Sequence, residues 1–229
     1  MKVVMVEPGR YARIEEMDTG LESLQKAVGG LIDCAYPWEE MVCIVCNDEG
    51  LLNGMPLNRN VENYQPIAGP FFVCGIEGED FCSLTDEQAQ RYQAMFHQPE
   101  LFVPYKTGLM HLKYDDPNLP GAPDTIKKAY QERHGLPELG FCSVPDLNMI
   151  MLVKYGQPGY WPIEHFPEGM GAEEYADTLN QMIGVSKPQQ TAMLYGSMFG
   201  WNIPAASPER YDENGKPKPH GQRRGNPER

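Results

Sequence analysis

The chain has 229 residues, a length that allows one larger domain or two small ones. Hydrophobic residues make up 41% of it and charged residues 22%, values that are typical of an ordinary soluble globular protein. The formal net charge of -13 is unevenly placed: residues 1–200 carry 28 acidic and 13 basic side chains, whereas residues 201–229 carry 4 and 6. An acidic surface repels phosphate, so we expect no nucleic-acid binding by residues 1–200.

The acidic charge has a second interpretation, in which the protein mimics a nucleic acid and offers its carboxylates to a basic site.

We expect no signal peptide, because the apolar run at 3–6 is followed at once by Glu7 and Pro8. The sequence also predicts no membrane-spanning segment. These features predict a cytoplasmic protein whose six cysteines stay reduced.

The first hundred residues alternate helix-start signals with apolar runs typical of strands. Thr19 with Glu22, and Thr85 with Gln88, match the capping-box pattern and predict the starts of two amphipathic helices. We therefore expect an α+β domain over residues 1–105, with a small mixed or antiparallel sheet and two packed helices. The predicted strands are 2–6, 11–15, 31–36, 41–47 and 71–75.

The second half contains more loop-forming residues. Proline and glycine are frequent between residues 106 and 123, which predicts a linker there. A helix is expected to start at Asp124, and the apolar run at 149–153 predicts a strand, with Tyr160 and Trp161 on a partner strand. We expect a smaller α+β or mainly helical region over 124–205, and a disordered basic tail at 206–229.

Motifs of catalysis and metal binding are few. Cys43 and Cys46 match C-x-x-C, which can bind zinc or act in redox chemistry. The pair lies in an apolar strand, where residues three apart point to opposite faces, and this favours a packing role. The five histidines form no metal-binding motif, and no phosphate-binding loop or dinucleotide fingerprint is present. We therefore predict no catalytic residue, no metal site and no cofactor.

The remaining candidate is an interaction surface on two loops. Loops held by a rigid scaffold often carry recognition, although an ordinary turn is an equally good interpretation of both segments. The aromatic, amide and guanidinium groups predicted to bind are Trp38 in the first hairpin turn and Asn53, Asn58, Arg59 and Asn60 in the following loop.

Six ordered blocks within residues 1–102 resemble a known family. Together they resemble the family called domain of unknown function 3846, found in proteins of phages, plasmids and conjugative elements. The resemblance implies no activity and no catalytic residue. Through residues 193–201 and 204–215, the second half is loosely similar to accessory segments of mobile-element proteins. The six blocks are 4–8, 24–30, 47–50, 56–59, 69–75 and 83–85.

These observations predict a non-enzymatic accessory protein of a bacterial mobile genetic element or phage. Its expected partner is a host or element-encoded protein, and analogy extends the prediction to an action against host defence. One alternative is a small-ligand module for a nucleotide signal, which would need a deep pocket lined by the Asn/Arg loop. Another is an enzyme of unrecognised class, which would need histidine or cysteine within hydrogen-bond reach of a carboxylate. The sequence makes no prediction of oligomeric state.

Overall fold

The structure of the protein is a computed structural model that describes residues 1–62, 64–105 and 108–201. The chain divides into two compact units, and the division falls between Lys127 and Lys128. The tail predicted at 206–229 lies outside the described residues. Antiparallel sheets and helices occur in both units, which confirms the predicted α+β class.

The first unit is built on an antiparallel sheet. Its strands are β1 (Lys2–Val6), β2 (Arg13–Glu16), β3 (Ile32–Ala35), β4 (Val42–Asn47), β5 (Leu57–Arg59), β6 (Ile67–Ala68), β7 (Phe71–Glu77), β8 (Asp80–Cys82), β9 (Glu100–Tyr105) and β10 (Gly108–Lys113). The main sheet has the order β2-β1-β7-β4-β3, and β8 pairs with β7. β5 pairs with β6, and β9 pairs with β10, as two separate ribbons.

The two central strands, β4 and β7, are buried on both faces of the sheet. Helix α1 (Leu21–Val28) packs in the core on one face, and α2 (Asp86–Met95) packs in the core on the other. Cys43 belongs to the α1 core and Cys46 to the α2 core, so the two cysteines point to opposite faces as predicted. Burial raises the pKa of Cys46 to about 11, which keeps its thiol protonated at neutral pH.

The two helices begin differently. At the start of α2, the Gln88 backbone amide donates to the Thr85 hydroxyl at 3.2 Å, and the Thr85 amide donates to Gln88 Oε1 at 3.0 Å. This confirms the predicted capping box. The one predicted at Thr19 is wrong, because the N-cap of α1 is Gly20, whose amide donates to Asp18 Oδ1 at 3.1 Å.

Residues 108–127 belong to the first unit. Residues 108–113, which were predicted to be part of a linker, form β10, and the following Tyr114 is buried. The Tyr11 hydroxyl accepts from the Asp116 amide at 3.0 Å and donates to the Asp116 carbonyl at 3.2 Å. Burial and these two hydrogen bonds outweigh the loop-forming composition of the segment.

The second unit has its own three-stranded antiparallel sheet. Its elements are β11 (Leu139–Val144), a 3-10 turn (Pro145–Leu147), β12 (Met149–Lys154), β13 (Trp161–Ile163), α4 (Ala172–Met182) and α5 (Lys187–Phe199), and α3 (Asp124–Glu132) spans the division between the units. β12 lies between β11 and β13, which confirms the pairing predicted for Trp161. α4 and α5 pack on β11 and β12. The Asn180 side-chain amide bonds both backbone groups of Phe141.

A fragment of residues 1–127 is expected to unfold cooperatively, because it contains a complete core. Shortening it to residues 1–105 should lower the free energy of unfolding by more than about 3 kcal/mol, since β10 and the buried side chains of Leu112 and Tyr114 are lost. Urea and thermal melts of the two fragments measure this difference. Equal stabilities would show that residues 106–127 act as a linker.

Candidate functional site

Two of the predicted binding residues lie in the interior instead of on the surface. Arg59 has no exposed area, and its guanidinium donates to oxygen atoms of three segments. Nε donates to the Phe96 carbonyl at 3.2 Å, and Nη2 donates to the Arg10 carbonyl at 2.7 Å. Nη1 donates to the backbone and side-chain oxygens of Asn58, at 3.0 and 2.9 Å. Arg59 therefore joins the end of α2, the β1–β2 turn and its own strand.

Asn58 extends the same clamp to two more segments. It is fully buried, and its Nδ2 donates to the Val6 carbonyl at 2.9 Å and to the Gly69 carbonyl at 2.8 Å. The prediction that Asn58 and Arg59 form an exposed interface is therefore wrong: the loop turns inward here as strand β5. We refer to these two side chains and their carbonyl partners as the Arg59 clamp.

The charge of Arg59 is retained in the interior. Burial lowers the pKa of its guanidinium to about 10, while the nearby charge of Glu100 acts in the opposite direction. The group is therefore still protonated at neutral pH. Carbonyl oxygens supply the hydrogen bonds that water would otherwise provide to a buried cation.

The turn that contains Trp38 is fixed on α2. Trp38 is half-buried, and its ring centroid lies 4.4 Å from that of Tyr92 and 6.3 Å from that of Phe96. The Glu40 carboxylate accepts hydrogen bonds from the Tyr92 hydroxyl, the Arg91 guanidinium and, at 3.3 Å, Gln88 Nε2. Donation from Tyr92, together with Arg91 and Gln88, holds the pKa of Glu40 below its usual range.

Trp38 and Asn60 line one cavity of about 260 Å³, which we call the Glu100 cavity. The Glu100 side chain is only 4% exposed, and its Oε2 accepts the Asn60 backbone amide at 2.9 Å. His111 Nδ1 lies 3.5 Å from the same oxygen. The structure thus brings two predicted residues together with a carboxylate and a histidine that the sequence patterns did not indicate. The other lining residues are Val61, Glu62, Met95, Phe96 and Lys113.

Asn53 lies elsewhere, in an exposed loop beside a second concave region. The loop also carries Leu51, which is 52% exposed, and Leu52, which is 87% exposed. Both leucines line a groove of about 460 Å³, which we call the Leu52 groove. Residues 33–35 of the edge strand β3 and residues 64–68 line it as well.

In the part of the chain that the structure describes, no group of three or more histidine, cysteine, aspartate or glutamate side chains is placed to hold a metal ion. Among the helices of these same residues, none combines the length and the apolar character needed to cross a membrane.

The fold defines a two-unit α+β protein whose groove and cavity both belong to the first unit. Residues 1–97 match the model of a family described as "Domain of unknown function (DUF3846)". This match confirms the resemblance expected from the sequence blocks. Neither the search of curated proteins nor the search of solved structures gives a match.

Replacing Arg59 with methionine should lower the free energy of unfolding by about 3 kcal/mol or more, because the carbonyl oxygens of the Arg59 clamp would lose their donors. Urea denaturation measures the change. Arg10→Met is a matched control, since the Arg10 side chain is exposed and its ion pair with Glu7 lies at the surface. That control should stay within about 0.5 kcal/mol of wild type. Equal effects of the two substitutions would contradict the clamp.

The Glu40 interaction should make stability depend on pH. A carboxyl whose pKa is lowered by folding stabilises the protein above its unfolded pKa, which is 4.5 for a model glutamate, and this contribution is lost as the pH falls. The stability difference between wild type and Glu40→Gln should therefore be larger at about pH 7 than at about pH 3. Denaturant melts across this range test it, with Glu39→Gln at the neighbouring exposed position as control. A difference that does not change with pH would contradict this role.

Proposed function

We propose that the protein binds an extended segment of a protein partner in the Leu52 groove. The main observation in support is the exposure of Leu52, a large apolar side chain that is 87% exposed and lines a groove of about 460 Å³. Leu51 and Tyr64 are exposed beside it, on the two loops that line the groove. Such clustering of exposed apolar side chains around a concavity is typical of interaction sites.

The edge strand β3 supports an extended partner. β3 is the last strand of the main sheet, and the groove lies along its residues 33–35. An extended peptide can add to a free sheet edge through backbone hydrogen bonds, with alternate side chains entering pockets beside the edge. In this arrangement the backbone supplies affinity and the groove selects an apolar side chain.

The acidic residues at the groove indicate the charge that the partner segment should carry. Asp33 and Asp48 both line the groove and are exposed, and Glu49 follows directly in the chain. Within the described residues, the groove lining includes no lysine or arginine. An apolar residue flanked by lysine or arginine therefore complements the groove, and the overall charge of -13 would attract such a segment.

The biological setting belongs to this proposal as well. The resemblance of the first unit to proteins of phages, plasmids and conjugative elements supports an accessory role in a mobile genetic element. The partner would then be a host or element-encoded protein, and interference with host defence is one outcome of binding it. Six free cysteines support a reducing, cytoplasmic location.

A displayed library of random peptides tests the proposal without a known partner. Selected peptides should carry an apolar residue flanked by lysine or arginine. For a synthetic peptide of the selected sequence, Leu52→Ser and Asp33→Lys should each weaken binding by about tenfold or more. Higher salt should also weaken it, because the charges lie at the surface.

Leu147→Ser is the matched control, since Leu147 is 68% exposed and lies in the second unit. It should bind the selected peptide as wild type does, and thermal melts should show that all variants are folded. Enrichment of no peptide, or equal binding by wild type and both groove variants, would reject the groove as the binding site.

A further inference from the structure

The Glu100 cavity lies apart from the Leu52 groove and shares no lining residue with it. Its floor is made by Glu100, Val61 and Phe96, all of which are buried. The half-buried Trp38 contributes an indole ring, and His111 contributes an imidazole. A buried carboxylate and an indole therefore line the same small cavity. Efficient packing of the core does not require a carboxylate there, which indicates a binding role.

The carboxylate of Glu100 is held in place but retains acceptor capacity. The Asn60 amide occupies one acceptor position of Oε2, and His111 Nδ1 lies 3.5 Å from the same oxygen. A carboxylate offers about four acceptor positions. Arg59 compensates the charge of Glu100 electrostatically, while the guanidinium N–H groups bond carbonyl oxygens. The group is therefore an oriented acceptor inside the cavity.

The shape and polarity of the cavity restrict the ligand. Its volume of about 260 Å³ lies just below the range of roughly 300–1,000 Å³ that is usual for drug-sized ligands, so it suits a compact head group. The indole of Trp38 favours a planar group that can stack. At the mouth of the cavity, Glu62 and Lys113 are exposed and carry opposite charges. These two residues together therefore do not select for the charge of the ligand.

We propose that the Glu100 cavity binds a small molecule through a planar fork of two adjacent N–H donors, which pairs with the Glu100 carboxylate and stacks on Trp38. Two common chemistries present such a fork: a guanidinium group, and the edge of a guanine base. Paired N–H donors match the two oxygens of a carboxylate, which gives both strength and orientation.

Isothermal titration calorimetry with the full chain tests this on wild-type protein, using pairs of ligands of which only one has the fork. Methylguanidinium is compared with tetramethylguanidinium, a planar cation without parallel N–H donors on adjacent nitrogens, and guanosine monophosphate with inosine monophosphate, which lacks the 2-amino group. In at least one pair, the compound with the fork should bind about tenfold or more tightly than its partner. The pair that responds identifies the source of the fork. Absence of binding at about 10 mM for both fork compounds, or equal binding within both pairs, overturns the proposal.

Two variants test whether the Glu100 carboxylate causes the preference for the compound with the fork. Glu100→Gln keeps the size of the side chain and replaces one acceptor oxygen with a donor, so it should remove the preference for the fork compound. Glu87→Gln changes an exposed carboxylate on α2 that does not line the cavity, and it should keep that preference. If Glu100→Gln does not fold, the ligand pairs on wild type still decide the question. A preference that survives in folded Glu100→Gln would overturn the assignment to Glu100.

Discussion

The buried guanidinium of Arg59 is the constraint on which much of the first unit depends. It bonds the carbonyl oxygens of Arg10 and Phe96, which lie 49 and 37 residues away in the chain. A buried cation is tolerated only where acceptors surround it, so these segments must meet around Arg59 for the domain to be stable. The β1–β2 turn, the end of α2 and strand β5 are thereby held in one arrangement.

The residues that carry the family resemblance have structural roles in this chain. Block 56–59 contains the Arg59 clamp, and block 47–50 contains Asn47, whose side chain donates to the Val28 carbonyl at 3.3 Å and accepts from the Glu49 amide at 2.9 Å. A side chain at Gly50 would approach the Ala68 carbonyl oxygen to 2.8 Å, so the chain passes too closely there for any larger residue. These blocks hold the loops in place on the sheet. Leu52 and the residues that line the Glu100 cavity lie outside the six blocks.

The sequence correctly predicts those elements that are marked by an uninterrupted apolar run or by a local capping pattern. β1, β4, β7 and the capped α2 follow directly from such runs. The β9–β10 ribbon was missed, because Pro104 and Gly108 indicate a loop, and only burial of Leu112 and Tyr114 reveals that the ribbon packs on the unit. The interior position of Arg59 was missed for a similar reason, since its acceptors are backbone carbonyls that have no signature in sequence. Asn60 lies at a cavity, but its partner Glu100 comes from a strand 40 residues later.

The Arg59 clamp and the Glu100 cavity are two consequences of the same electrostatic arrangement. A buried carboxylate is costly unless a positive charge lies near it, and a direct bidentate pair with arginine would use its acceptor positions. Here the N–H groups of Arg59 are directed to the carbonyl oxygens of Phe96, Asn58 and Arg10, while its charge still acts on Glu100. Glu100 is therefore left with acceptor positions that the N–H groups of Arg59 do not occupy. The interaction that holds the loops together thus also maintains a buried polar acceptor in the cavity that Trp38 lines.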